Sequence, residues 1–123
     1  MRRPLPGIAR GRRLIPMTSV IVGQSFGAFS FHSAFFDFTV QVSGSVLAVT
    51  SPRVFEIATG EIVCLEELGG VDVHAKTTGQ IDPGVDSYEE AYKAVQQWLR
   101  ITLKRIEAGS ARKARAEVTI GAR

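Results

Sequence analysis

The stretch from Thr39 to Gly79 constrains the fold more than any other, because glycines, a proline and a histidine punctuate its apolar runs. It opens with β-branched residues at alternate spacing, Thr39, Val40 and Val42, turns at Ser43-Gly44, and resumes with Val46, Leu47 and Val49, which predicts two strands in close succession. Ser51 is then placed to cap a helix, Pro52 suits its first turn, Val54, Phe55 and Ala58 supply an apolar stripe for docking on the strands, and Gly60 can close its end. A short helical turn from Leu65 to Leu68 stops at Gly69-Gly70. Val71, Asp72, Val73 and His74 then read as a strand entering a Thr-Thr-Gly turn.

Upstream, the apolar residues Thr18 to Val22 lead to Gly23-Gln24-Ser25-Phe26-Gly27-Ala28, a glycine-bounded turn between a strand and a helix. Downstream, Ser87 and Glu90 have capping-box spacing, and Tyr88, Ala91, Tyr92, Val95, Trp98, Leu99, Leu103 and Ile106 recur at three- and four-residue steps. That stripe predicts a long helix packed on a sheet or a partner subunit and ended by Gly109-Ser110. The element order reads as α/β, with no internal repeat.

With 123 residues, 45% of them hydrophobic, the chain suffices for one modest domain. The net charge of +3 conceals an acidic middle, where ten carboxylates between residues 14 and 99 face only Arg53, Lys76 and Lys93. Arginine and lysine instead crowd an arm over residues 1–14 and a tail over residues 109–123. Such arms can meet polyphosphates, but no aromatic-basic or helix-turn-helix pattern accompanies them, so a nucleic-acid partner is not expected. The Arg-rich start also has some character of a transit peptide, although Pro4, Pro6 and Gly7 interrupt its helical pattern.

Leu14 to Phe36 lacks Lys, Arg, Asp and Glu, yet its glycines, serines and β-branched run argue for a segment buried by further protein rather than a membrane span. Cys64 is the single cysteine, so no internal disulfide or cysteine-based metal site is possible and a reducing compartment fits.

The residues SPRVFEIATGE followed by LEELGGVDVHAKTTGQID resemble the carboxyltransferase (beta) subunit of biotin-dependent acyl-CoA carboxylases, in the pattern GPxVVxxxTGExxxxEELGGxxxHxxxSG. VIVG ending at Gly23, the Gly27-Ala28 pair and Asp37-Phe38 follow the same family's order upstream. The resemblance spans residues 15 to 106 and implies the later part of the family's first domain, an incomplete crotonase-like superhelix of ββα turns.

It also implies a reaction: carboxybiotin, carried on a partner protein, delivers CO₂ to the α-carbon of an acyl-CoA through a biotin ureate and a thioester enolate. Both anions call for preorganised N–H donors, and the resemblance assigns the backbone amides of Gly27 and Ala28 to that role. Ala28 departs from the family's glycine pair. Gly23, Ser25, Phe26, Phe31, Gly69, Gly70 and His74 are the expected substrate-side residues. His74 sits in the GGxxxH position as a tie for the glycine loop, His32 and Asp37 are read as structural, and Cys64 stands where the family has a cap residue ahead of LEEL.

No bound metal is expected. The implied partners are a biotin carboxylase or biotin carrier subunit, further carboxyltransferase domains and acyl-CoA, in a homo- or hetero-oligomer of the cytoplasm, or of the mitochondrial matrix in a eukaryote. Alone, the chain is expected to be inactive. Glu66 and Glu67 sit on a short helix rather than in a glycine-rich turn, which disfavours a hydratase. A malonyl-type decarboxylase component, a non-catalytic assembly or regulatory subunit, and a truncated relic stay open.

Overall fold

Two strand–strand–helix units follow one another from Thr18 to Thr59 and stack strand on strand. The first comprises β1 (Thr18–Ile21), β2 (Gln24–Phe26) and α1 (Ala28–Ser33). The second comprises β3 (Phe38–Val42), β4 (Val46–Ala48) and α2 (Pro52–Thr59). The computed structural model describes residues 15–121, with side chains through residue 109, so the expected basic arm lies outside the described residues.

β1 runs parallel to β3 with Val20 opposite Val40, and β2 runs parallel to β4 with Ser25 opposite Leu47. β5 (Gly84–Val85) joins the far edge of β3, giving one sheet of order β1-β3-β5 and a second of order β2-β4. Parallel neighbours need a crossover, and each unit's remaining strand and helix provide it, which is the expected superhelix of ββα turns. β3 and β4 do follow each other closely, across a turn in which Ser45 N donates to Val42 O at 3.0 Å. They nonetheless belong to different sheets.

Asp37 locks the entry to this arrangement, as its structural reading requires. Its carboxylate accepts from Met17 N at 3.0 Å while its own amide donates to Met17 O at 2.9 Å. The core is small and double: Val40 and Val42 meet Ala91 on one side, and Ile21, Leu47 and Ile81 meet Val71 on the other. The long helix α4 (Tyr88–Gly121) covers β3, with Trp98 stacked on Phe38 at 5.2 Å and 7°. Its start matches the expected cap, since Glu90 N donates to Ser87 Oγ at 3.2 Å and the Glu90 carboxylate accepts from Asp86 N at 2.9 Å.

Five local expectations are corrected. Gly23 does not lead straight into a helix, because β2 intervenes and is held by its partner β4 rather than by its own composition. Val71 to His74 is helical, continuing from α3 (Leu65–Gly69) into a π-helical segment Val73–Thr78. A strand would send Val71 and His74 to opposite faces, whereas three residues apart on a helix they share one, and both are needed against β4.

Ser51 occupies the cap position of α2 without a side-chain cap bond. The apolar stripe of α2 stays largely uncovered: no residue of the helix is buried, Val54 is 54% exposed and Phe55 is half-buried. Finally, α4 runs through Gly109-Ser110 to Gly121. One interior glycine costs only about 1 kcal/mol, and the surrounding Ala, Arg, Lys and Glu are strong helix formers.

Candidate functional site

The turn joining β2 to α1 is built around Gly27, whose φ of 62° and ψ of −123° lie where a side chain is strained. Its carbonyl accepts from Phe31 N at 3.3 Å and from Ser30 Oγ at 2.8 Å, which closes the first helical turn. Its amide, however, donates to Val49 O at 3.0 Å. Of the expected donor pair, the Gly27 N–H is thus engaged within the fold. Ala28 keeps a free amide among the described residues, as the first position of a helix must, and the next two amides share that condition.

Two clefts flank this turn. One, of about 490 Å³, is lined by Gly23, Ser25, Phe29, His32 and Phe36. The His32 Nε2 there is buried without a partner among the described residues. The other, of about 470 Å³, is bounded by Ser30, Phe31 and Ala34 of α1, by Leu47 to Thr50 at the end of β4, and by Phe55, Leu68, His74 and Gln80. Phe31 and His74 thus meet across one cleft, while Gly23 and Ser25 line the other. Phe26 is half-buried in β2 and lines neither cleft.

Gly69 and Gly70 act as spacers. A methyl group on Gly69 would overlap the Leu47 carbonyl oxygen, and one on Gly70 would approach Glu66 O at 2.7 Å. The same Leu47 oxygen accepts from His74 Nε2 at 2.6 Å, so the ring's Nδ1 is the acceptor for Thr78 Oγ1 at 3.0 Å. His74 is tied at both nitrogens, and its own amide donates to Gly70 O at 3.3 Å. The ring fastens the helical segment after the glycine pair to β4.

His74→Ala should therefore cost about 2 kcal/mol, because it orphans the Leu47 carbonyl and frees the π-helical segment. Urea titration checks this, and a change below about 0.5 kcal/mol would contradict the tie.

Beneath the glycine loop, the fully buried Gln41 amide donates to Ser45 O and Gly69 O, each at 3.0 Å. Leu47, Val49 and Phe55 are legible in the sequence only as strand and helix residues, and Gln41 not at all. The signal was a glutamine at an inward position of a strand otherwise rich in valine and threonine.

Among the described residues no carboxylate lines the Phe31–His74 cleft. Glu67 accepts from Cys64 N at 3.3 Å, so Cys64 does occupy the cap position of α3. Glu66 lines a separate cleft with Asp72 and Asp86. Among the described residues no cluster of three His, Cys, Asp or Glu could hold a metal ion, and no helix is long and apolar enough to cross a membrane.

A family model described as carboxyl transferase domain matches residues 8–119. The chain is 32% identical over 87 residues to the biotin-dependent acetyl-/propionyl-coenzyme A carboxylase beta5 subunit of Mycobacterium tuberculosis, covering 70% of this chain and 16% of that protein. It is 33% identical over 87 residues to the propionyl-CoA carboxylase carboxyltransferase subunit of Haloferax mediterranei, covering 70% and 17%. The chain thus spans about one sixth of the length of these relatives.

Among solved structures, the transcarboxylase 12S hexamer with methylmalonyl-coenzyme A and methylmalonic acid bound superposes with a TM-score of 0.70 at 24% identity, over 77% of this chain and 19% of that one. The Pseudomonas aeruginosa geranyl-CoA carboxylase beta subunit gives 0.65 at 24% identity, over 76% and 18%. These likenesses establish the fold as that of carboxyltransferase subunits, and hence the expected crotonase-like one.

Proposed function

Because the chain belongs to the carboxyl transferase domain family, we propose that it serves as a carboxyltransferase component of a biotin-dependent acyl-CoA carboxylase, contributing one half-site and requiring further domains for turnover. The observation that carries this is that Ser30 and Phe31 of α1, the helix whose opening amides are free, wall an apolar cleft lined by no carboxylate among the described residues.

An acyl-CoA carbonyl that becomes an enolate puts negative charge on its oxygen, and preorganised N–H groups stabilise that charge without needing a side-chain base. The Ala28 amide is the donor in this reading, and Gly27 shapes the turn that presents it. Phe31, Val49 and Phe55 line space fit for an acyl chain, and His74 with Gly69 and Gly70 holds the cleft's floor in register. Carboxybiotin, when bound, supplies the CO₂. The donor set here suits an anionic oxygen, since it consists of neutral N–H groups at a helix start.

The test is isothermal titration of the chain with propionyl-CoA, CoA and biotin. Propionyl-CoA should bind more tightly than CoA, and Phe31→Asp should weaken it by about tenfold or more, because a carboxylate then enters the apolar cleft. A folded chain that does not distinguish propionyl-CoA from CoA, or a Phe31→Asp variant that binds as well, would move the assignment to a non-catalytic assembly subunit. The occupied Gly27 amide is the one feature that favours that second reading.

A further inference from the structure

The cleft between Phe31 and His74 measures about 470 Å³, within the range that holds a drug-sized ligand and beyond what a two- or three-carbon acyl group fills. Its apolar walls come from Phe31 and Ala34 of α1, Leu47 and Val49 at the end of β4, Phe55 of α2 and Leu68 of α3. Phe31 is 51% exposed and Val49 64%, so these walls keep apolar surface that a ligand would take out of water.

Most of the polar side chains at the cleft are already engaged. Ser30 Oγ donates to Gly27 O at 2.8 Å, and both ring nitrogens of His74 are bonded. Thr50 and Gln80 remain, and Gln80 is exposed. The amide-bearing arm of CoA would bring N–H and C=O groups into a space with few partners for them, which costs free energy, whereas methylenes enter without that penalty.

The reach of the cleft follows from α1. Ala34 stands at the end of that helix, six residues beyond Ala28 and about 9 Å along the axis at the usual rise. An extended carbon chain advances about 1.2 Å per bond, by the geometry that gives an extended backbone about 3.6 Å for the three bonds of a residue. A chain anchored at the turn before α1 therefore takes about seven bonds, or eight carbons, to reach Ala34.

We propose that this cleft selects medium-chain acyl-CoA thioesters of about eight carbons over acetyl- and propionyl-CoA, with Ala34 setting the limit of length. The inference rests on the carboxyltransferase reading, which puts the thioester carbonyl at the Ala28 amide. Full burial of a methylene strengthens binding about fourfold; in a cleft that covers about half of its surface, the gain is about twofold.

Isothermal titration of the full chain with acetyl-, propionyl-, hexanoyl-, octanoyl- and dodecanoyl-CoA, with CoA as reference, tests it. Affinity should double with each methylene, giving about 30-fold from propionyl to octanoyl, and then level off, with dodecanoyl-CoA within about twofold of octanoyl-CoA. Ala34 is exposed on the wall, so Ala34→Trp should fold normally and bring the octanoyl-to-propionyl ratio below about threefold. A wild-type ratio already below that value, an affinity that keeps rising to dodecanoyl-CoA, or a ratio that Ala34→Trp leaves intact would each overturn the length selection. Acyl-CoAs that all bind alike but more tightly than CoA would sink the length selection alone and leave the carboxyltransferase reading standing; acyl-CoAs that bind no better than CoA would sink both.

Discussion

Gly69→Ala is expected to destabilise the chain by about 3 to 5 kcal/mol, enough to remove most of the stability a small domain commands. The added methyl would overlap the Leu47 carbonyl oxygen and come within 2.8 Å of the Leu47 carbonyl carbon and 3.2 Å of Ala48 Cβ. Two of these three atoms are backbone of β4, so no rotamer change relieves the contact. Moving α3 outward instead would break the bond from Gln41 to Gly69 O and draw His74 away from Leu47 O, leaving buried polar groups unpaired.

Gly60→Ala is the matched control. Gly60 closes α2 with a φ of 77°, yet its Cβ position opens onto free space, so only the left-handed backbone cost of about 1 to 2 kcal/mol applies. Urea unfolding followed by the fluorescence of Trp98, the single tryptophan, compares the two. A loss for Gly69→Ala no larger than that for Gly60→Ala would mean that the glycine is not a spacer against β4.

The contrast between these glycines shows which parts of the fold are legible in the amino-acid order. Signals that act over a few residues are readable: Pro52 at the first turn and left-handed Gly60 bound α2, and Ser87 with Glu90 marks the start of α4. The alternation of Thr39, Val40 and Val42 marks β3, although Thr39 is as buried as the valines. The GGxxxH spacing announced a tied loop, but not that its anchor is the Leu47 carbonyl 27 residues upstream.

Elements that exist because of distant partners were not legible. β2 has only three residues and no strong strand former besides Phe26, and it is ordered by its ladder with β4. Val71 and Val73 favour a strand on propensity alone, and the need to place Val71 and His74 on one face overrides that preference. The largely uncovered stripe of α2 was misread for the converse reason: periodicity shows that a face is apolar, not that this chain supplies its cover. In the site, the free and occupied amides at Gly27 and Ala28 differ only through Val49 O, a contact across 22 residues that no local pattern encodes.

That difference sets up the sharpest test of the proposed carboxyltransferase role, under which Ala28→Pro lowers the carboxylation rate by about 10² to 10³ while changing little else. Ala28 is the first residue of α1, where proline's fixed φ is accommodated and no intrahelical bond is lost. The preceding residue is ordinarily restricted by a following proline, but Gly27 lacks the Cβ behind much of that restriction and has mirror-image backbone regions open to it. The substitution therefore deletes one N–H and leaves the Phe31 to Gly27 bond that closes the turn. Gly27→Asp, by contrast, would strain a backbone at φ 62° and remove no available donor, since that amide already serves Val49 O. The measurement is the turnover of propionyl-CoA by the chain assembled with a biotin carrier and the remaining carboxyltransferase domains, alongside the binding constant for propionyl-CoA. An oxyanion donor acts on charge that develops only in the reaction, so turnover should fall while binding stays within about threefold. Equal losses in binding and turnover would assign the Ala28 amide to holding the substrate, and no loss in either would remove it from the site altogether.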